Sequence, residues 1–146
     1  MDKLYDDVMM DHIKNARNYR DLKSPSKYAE GVNPLCGDRF SVFVDLHEDH
    51  IKDLSFTCEC CGISMASASM MTDLLKGKSQ EEARDAILAF KDFISGRDTQ
   101  FPYGEDIKAV LGVVNKFPSR INCASLGWAT LEAALNDESE VVINKD

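Results

Sequence analysis

Phe40-Ser41-Val42-Phe43-Val44-Asp45-Leu46, the polar turn His47-Glu48-Asp49-His50, and then Leu54 and Phe56 decide the fold. Phe40, Val42, Val44 and Leu46 alternate with Arg39, Ser41, Phe43 and Asp45. That is the period of two expected of a strand with one face against a core. Two such runs joined by a short polar turn predict an antiparallel hairpin. Upstream, Leu4, Tyr5, Val8, Met9, His12, Ile13 and Ala16 recur at helical spacing and predict a helix over 3–18. Residues 20–35 contain Ser24-Pro25-Ser26 and Asn33-Pro34 and read as a loop with turns.

Downstream of the hairpin the pattern is helical. Ile63, Ala66, Met70 and Leu74 mark a helix over 62–76 that is ended by Gly77. Ser79 and Glu82 form a capping box that opens a helix with Ala83, Ile87, Phe90 and Ile94 on one face. Phe101-Pro102-Tyr103-Gly104 is a loop, Ile107, Val110, Leu111 and Val114 mark a helix stopped near Pro118, and a last helix runs over 121–136. The tail 137–146 reads as polar and frayed. With no internal repeat and no linker, the expectation is one domain, 1–146, of the α+β class: a small antiparallel sheet packed against several helices.

Composition narrows the function. The 146 residues carry 17 basic and 25 acidic side chains, a net charge of −8, with no basic stripe to track phosphates. Nucleic acid is therefore not an expected partner. No apolar run approaches the roughly 18 residues that span a bilayer, so no membrane role is expected. The acidic start Met1-Asp2-Lys3-Leu4-Tyr5-Asp6-Asp7 lacks a signal-peptide core, and a cytoplasmic location is expected. Five cysteines is an odd number, which together with that location argues against a disulfide framework and for metal binding or thiol chemistry.

Three cysteines stand where turns give way to regular elements: Asn33-Pro34-Leu35-Cys36-Gly37-Asp38, Cys58-Glu59-Cys60-Cys61-Gly62-Ile63-Ser64 and Arg120-Ile121-Asn122-Cys123. Cys36 has the carboxylate of Asp38 two residues on, across a glycine. Three thiols and a carboxylate are a set of ligands suited to a tetrahedral metal such as zinc. The gaps of 25 (61 − 36) and 62 (123 − 61) residues are too long for a finger or ribbon, so the tertiary fold must assemble any such site. Cys61 and Cys123 fall at helix starts, where the helix dipole favours a thiolate.

These motifs resemble the U-type scaffold family of iron–sulfur cluster assembly, the IscU and NifU N-terminal proteins, and within it the SufU branch. The resemblance runs from Leu4-Tyr5 through Met10-Asp11-His12 to Trp128. It is strongest at Asn33-Pro34-x-Cys36-Gly37-Asp38, at Cys61-x-Ile63-Ser64-x-Ala66-Ser67-Ala68-Ser69-Met70-Met71 and at Phe117-Pro118-x-Arg120-Ile121-x-Cys123. The gap before Cys123, and Asn122 where IscU proteins have a ligand histidine, are similar to SufU. The resemblance implies an IscU-like (and SufE-like) fold, with Cys36, Asp38, Cys61 and Cys123 as ligands of one zinc ion. It also implies Arg120 near the site and a cysteine desulfurase (SufS-like) as partner. The implied function is sulfur acceptance for a downstream Suf assembly complex, a sulfurtransferase role. Two alternatives stay open: a scaffold carrying a transient iron–sulfur cluster on the same cysteines, and a purely structural zinc site.

On this reading Cys36, on a Pro/Gly loop, is the sulfur acceptor, Asp38 the most exchangeable ligand, and Arg120 a group that offsets the site's negative charge or orients the incoming persulfide. Cys58 and Cys60 replace residues that are commonly glycine in the family. Cys58 reads as a small packing residue at a strand end. Cys60 could compete with Cys61 as a ligand, act as a resolving thiol, or simply pack. His12 reads as a packing residue, and His47 and His50 as solvated turn residues. The small residues of 64–75 read as tight helix packing.

Overall fold

The computed structural model describes residues 6–143, so the helical reading of Leu4 and Tyr5 falls outside it. Helix α1 is Asp7–Lys14, opened by Asp6, whose carboxylate accepts from the Met9 amide at 2.9 Å. It is shorter than predicted. Beyond Asn15 the Arg17 amide donates to Ser69 Oγ at 2.8 Å and Asn18 takes φ 58°, so tertiary hydrogen bonds replace the helical ones. Strands β1 (Lys27–Asn33), β2 (Asp38–His47) and β3 (His50–Glu59) follow, then α2 (Gly62–Leu75), α3 (Gln80–Ile94) and α4 (Ile107–Lys116). A single 3-10 turn, Pro118–Arg120, leads into α5 (Ile121–Leu135), and β4 (Glu140–Val142) ends the series.

The hairpin β2–β3 is the predicted one: Glu48 and Asp49 both take positive φ (49° and 70°), the two-residue geometry that matches strand twist. The Ser79–Glu82 capping box is also formed as predicted. Two strands were not expected. The stretch read as a loop contains β1, which pairs antiparallel with β2, and the tail read as frayed contains β4, which pairs parallel with β1. The sheet order is β3-β2-β1-β4, so the sheet is mixed rather than purely antiparallel.

One face of this sheet is covered by helices. Phe40, Val42, Val44, Leu54 and Phe56 are buried beneath α2 and α5. Trp128 of α5 stacks on Phe90 of α3 with centroids 4.2 Å apart and gives its Nε1–H to Ser67 Oγ at 3.0 Å. Close approach is purchased with small residues. A Cβ on Gly31 of β1 would stand 1.9 Å from Thr130 Oγ1 of α5, and one on Gly127 would stand 3.1 Å from the Ala68 Cβ of α2. No helix among the described residues is long and apolar enough to cross a membrane.

The β1–α5 contact yields a stability prediction. Gly31→Ala is expected to destabilise the protein by about 1–3 kcal/mol, the usual cost of overpacking a filled core. Adding Thr130→Ala, which removes the nearest atom, should recover part of that loss, because contacting sites are not additive. Urea unfolding of the two single variants and the double variant measures the coupling.

Candidate metal centre

The first two candidate ligands come from one hairpin. Asn33 and Asp38 are register partners closing the turn between β1 and β2. The Gly37 amide donates to the Asn33 carbonyl at 2.8 Å, and Gly37 takes φ +81°, a conformation that favours glycine. Cys36 therefore sits exposed on a tight turn, while Asp38, two residues on, is buried as the first residue of β2. Cys36 lies in a turn between two strands rather than before the first strand.

The other two come from helix starts, as predicted. Cys61 is the N-cap of α2, with extended backbone and no side-chain capping bond to the backbone amides of that helix. Its sulfur is thus free for other partners: it lies 3.3 Å from Ser64 Oγ and 3.7 Å from Asp38 Oδ2. Cys123 is the third residue of α5 and is buried. Ser64 ties three segments together. Its hydroxyl is 2.8 Å from Asp38 Oδ2 and 2.9 Å from the Cys123 carbonyl, with one proton to give to these acceptors.

The donor atoms of Cys36, Asp38 and Cys123 all lie within 4.8 Å of one another. Cys61 completes the group through its approach to Asp38 and a hydrogen bond with Cys123. A tetrahedral ion with metal–sulfur bonds of about 2.3 Å needs its sulfurs about 3.8 Å apart. Three of the donors gather within 4.8 Å, Cys61 joins them through Asp38, and three thiols with a carboxylate are of the right chemistry for zinc. Electrostatics point the same way. Burial pushes the Cys123 thiol up from 9.0 to about 12, and Cys61, Cys36 and Asp38 add to the effect. A dication held among these donors would favour the thiolate of Cys123 over its thiol.

Of the expected ligand set, Cys36, Asp38 and Cys123 lie mutually close, and Cys61 reaches them through Asp38 and Cys123. Arg120 lies at the N-cap of α5, exposed, with no ion pair to any described carboxylate. Cys58 and Cys60 differ from expectation: their sulfurs are bonded to each other, with Cα atoms 5.6 Å apart, so neither is merely a packing residue. Cys58 is on β3 and Cys60 just beyond its end, where the chain leaves the strand for α2. His12 is buried as expected, with Nδ1 2.7 Å from Ser69 Oγ and Nε2 3.0 Å from Asp106 Oδ2. His47 and His50 are exposed. Ser64 is the residue that pattern reading missed. Its signal was its place three residues after a capping position, facing Cys61.

The fold and the cluster together define a U-type protein of iron–sulfur cluster assembly. The chain belongs to the NifU-like N-terminal domain family, whose model matches residues 4–142. It is 44% identical to the zinc-dependent sulfurtransferase SufU of Bacillus subtilis over 140 residues, covering 94% of this chain and 93% of that protein. It is 39% identical to the iron–sulfur cluster assembly scaffold protein IscU of Streptococcus pyogenes, covering 92% of this chain and 84% of that one. Among solved structures, the SUF-system scaffold protein FiSufU of Fervidobacterium islandicum superposes with a TM-score of 0.82 at 29% identity. That match covers 90% of this chain and 96% of that one.

Ser64→Ala is expected to weaken zinc binding about 10–100-fold, the usual effect of removing a group that orients a ligand. Competition with a chromophoric chelator would measure it, and an unchanged affinity would show that the hydroxyl does not orient Asp38. In the same assay affinity should climb as pH rises through neutrality, because the proton that Cys123 holds up to about 12 has to leave on binding.

Proposed function

We propose that this protein is a zinc-dependent sulfur acceptor, a sulfurtransferase that takes persulfide sulfur from a cysteine desulfurase and passes it to a downstream cluster assembly complex. The observation that carries the reading is the position of Cys36: an exposed thiol on a glycine turn that belongs to the same cluster as Asp38, Cys61 and Cys123. Held by those four residues, zinc would keep the thiols deprotonated at neutral pH, where a free thiol of pKa about 8.5 is mostly protonated.

The chain's own residues then divide the work. The Cys36 sulfur attacks the outer sulfur of the desulfurase persulfide, the S–S bond breaks, and the desulfurase cysteine leaves as a thiolate while Cys36 carries the new persulfide. Asp38 is the donor most easily exchanged, since oxygen holds a soft site less firmly than thiolate. Cys61 and Cys123, fixed at the starts of α2 and α5, anchor the site. Arg120, exposed at the N-cap of α5 and in no ion pair with a described carboxylate, is available to an anionic persulfide. The acidic surface, at a net charge of −8, would steer a partner with a basic docking face.

A second reading, a scaffold for a transient iron–sulfur cluster on the same cysteines, is favoured by the scaffold descriptions of the Streptococcus and Fervidobacterium proteins. A staple role for the metal is disfavoured by the core, in which α2, α5 and the sheet bury Phe40, Phe56, Leu126 and Trp128 with no need of one.

Anaerobically purified protein is expected to be colourless, with about one zinc per chain, as a closed four-donor site holds. Brown protein with iron and sulfide in cluster proportions would install the scaffold reading instead. Cys36→Ser should retain its fold but lose persulfide uptake from a desulfurase, read by mass spectrometry. Chelation of the metal should leave the far-ultraviolet circular dichroism of the wild type intact. Collapse of that signal would make the metal a staple.

A further inference from the structure

The Cys58–Cys60 pair lies outside the four-donor cluster but next to it. The β2–β3 register pairs Phe40 with Cys58 and Arg39 with Glu59. The ladder ends there, and Cys60 follows as the first residue of the link to α2. Phe40 and Asp38 are both buried on the helix-covered side of the sheet, so Cys58, opposite Phe40, lies on the face that holds the cluster, and Cys60 is bonded to it. Cys60 is also the chain neighbour of Cys61, whose sulfur is 3.7 Å from the same Asp38 carboxylate.

Two further details suit this pair to thiol exchange. Cys58 is clamped: the Tyr19 hydroxyl donates to its carbonyl at 2.9 Å and accepts from its amide at 3.3 Å. Cys60 is beyond the end of β3, in the link to α2, and both cysteines are partly exposed. One sulfur is therefore fixed, and its partner sits on a connecting residue beside the cluster.

We propose that Cys58 and Cys60 are a built-in two-electron couple that reduces sulfane sulfur delivered to Cys36 and releases it as hydrogen sulfide. This rests on the sulfur-acceptor reading. The Cys60 thiol takes the outer sulfur from the Cys36 persulfide, so that Cys36 returns to a thiol and Cys60 becomes the persulfide. The Cys58 thiol then attacks Cys60 Sγ, the bond from that sulfur to the outer sulfur breaks, and hydrogen sulfide leaves with the two remaining protons. The sulfane sulfur gains two electrons and the two cysteines lose one each. The product is the Cys58–Cys60 disulfide, the form the structure holds. An external dithiol reductant restores the couple.

The test is a single turnover. Fully reduced zinc-loaded protein, freed of small-molecule thiols, is mixed anaerobically with a cysteine desulfurase and limiting cysteine. Released sulfide is then measured, and the state of every cysteine is read by peptide mass spectrometry. Wild type is expected to release sulfide in proportion to the Cys58–Cys60 disulfide it forms, whereas Cys58→Ser and Cys60→Ser keep the sulfur on the chain as persulfide. Their unchanged zinc content would show that the site is intact. Wild type that holds a persulfide beside free Cys58 and Cys60 thiols would overturn the couple and leave the acceptor reading standing. Absence of persulfide and of sulfide from every variant would overturn the acceptor reading, and the couple with it.

Discussion

Cys61 and Cys123 stand on different helices, and their separation is set by how closely α2 and α5 approach. That distance is fixed where Gly127 meets Ala68, a contact with no room for a further carbon, and is reinforced by the Ser67 hydroxyl giving its proton to the Ala124 carbonyl at 2.7 Å while accepting from Trp128. Small, buried and polar-tipped side chains let the two backbones come near and then tie them by hydrogen bonds. Larger residues would have pushed the helix starts apart and taken the two thiols out of range of one ion. The hairpin turn with Cys36 and Asp38 is set against this frame by the docking of β2 under α5.

The site is thus an electrostatic compromise imposed by packing. Helix starts offer partial positive charge to sulfurs placed there, but burial, with Cys61, Cys36 and Asp38 close by, works against the ionisation of Cys123. Ser64 moderates the conflict, since one hydroxyl lies against both Asp38 and the chain at Cys123. Such a cluster has little stability to offer on its own. It is maintained because the surrounding core, with Phe90 and Trp128 stacked at its centre, does not depend on it.

Much of this was legible in the residues. The hairpin β2–β3 showed because Phe40, Val42 and Val44 are large and recur at every second residue before a polar turn, and the α3 start showed because Ser79 and Glu82 cap it. Strand β1 did not show, for a physical reason. Its inward positions are Ala29, Gly31 and Asn33, too small or too polar to print a hydrophobic period, because α5 lies so close that Thr130 fills the space a side chain would need. Strand β4 is three residues long and gains its place only by pairing with β1. The four candidate ligands were readable from their motifs, whereas the bond between Cys58 and Cys60 was not. A strand face is invisible until the register that defines it is known.

The donors also have an order in time. Cys36, Asp38 and Cys61 belong to a hairpin and a helix start that lie close in the chain, but Cys123 follows only after α3 and α4. During synthesis the first three groups emerge well before the last, and long-range closure is slow compared with local pairing. A nascent chain is therefore short of one thiol until α5 has docked on the sheet. The length of the connection between Cys61 and Cys123 makes completion of the four-donor group wait on the docking of α5.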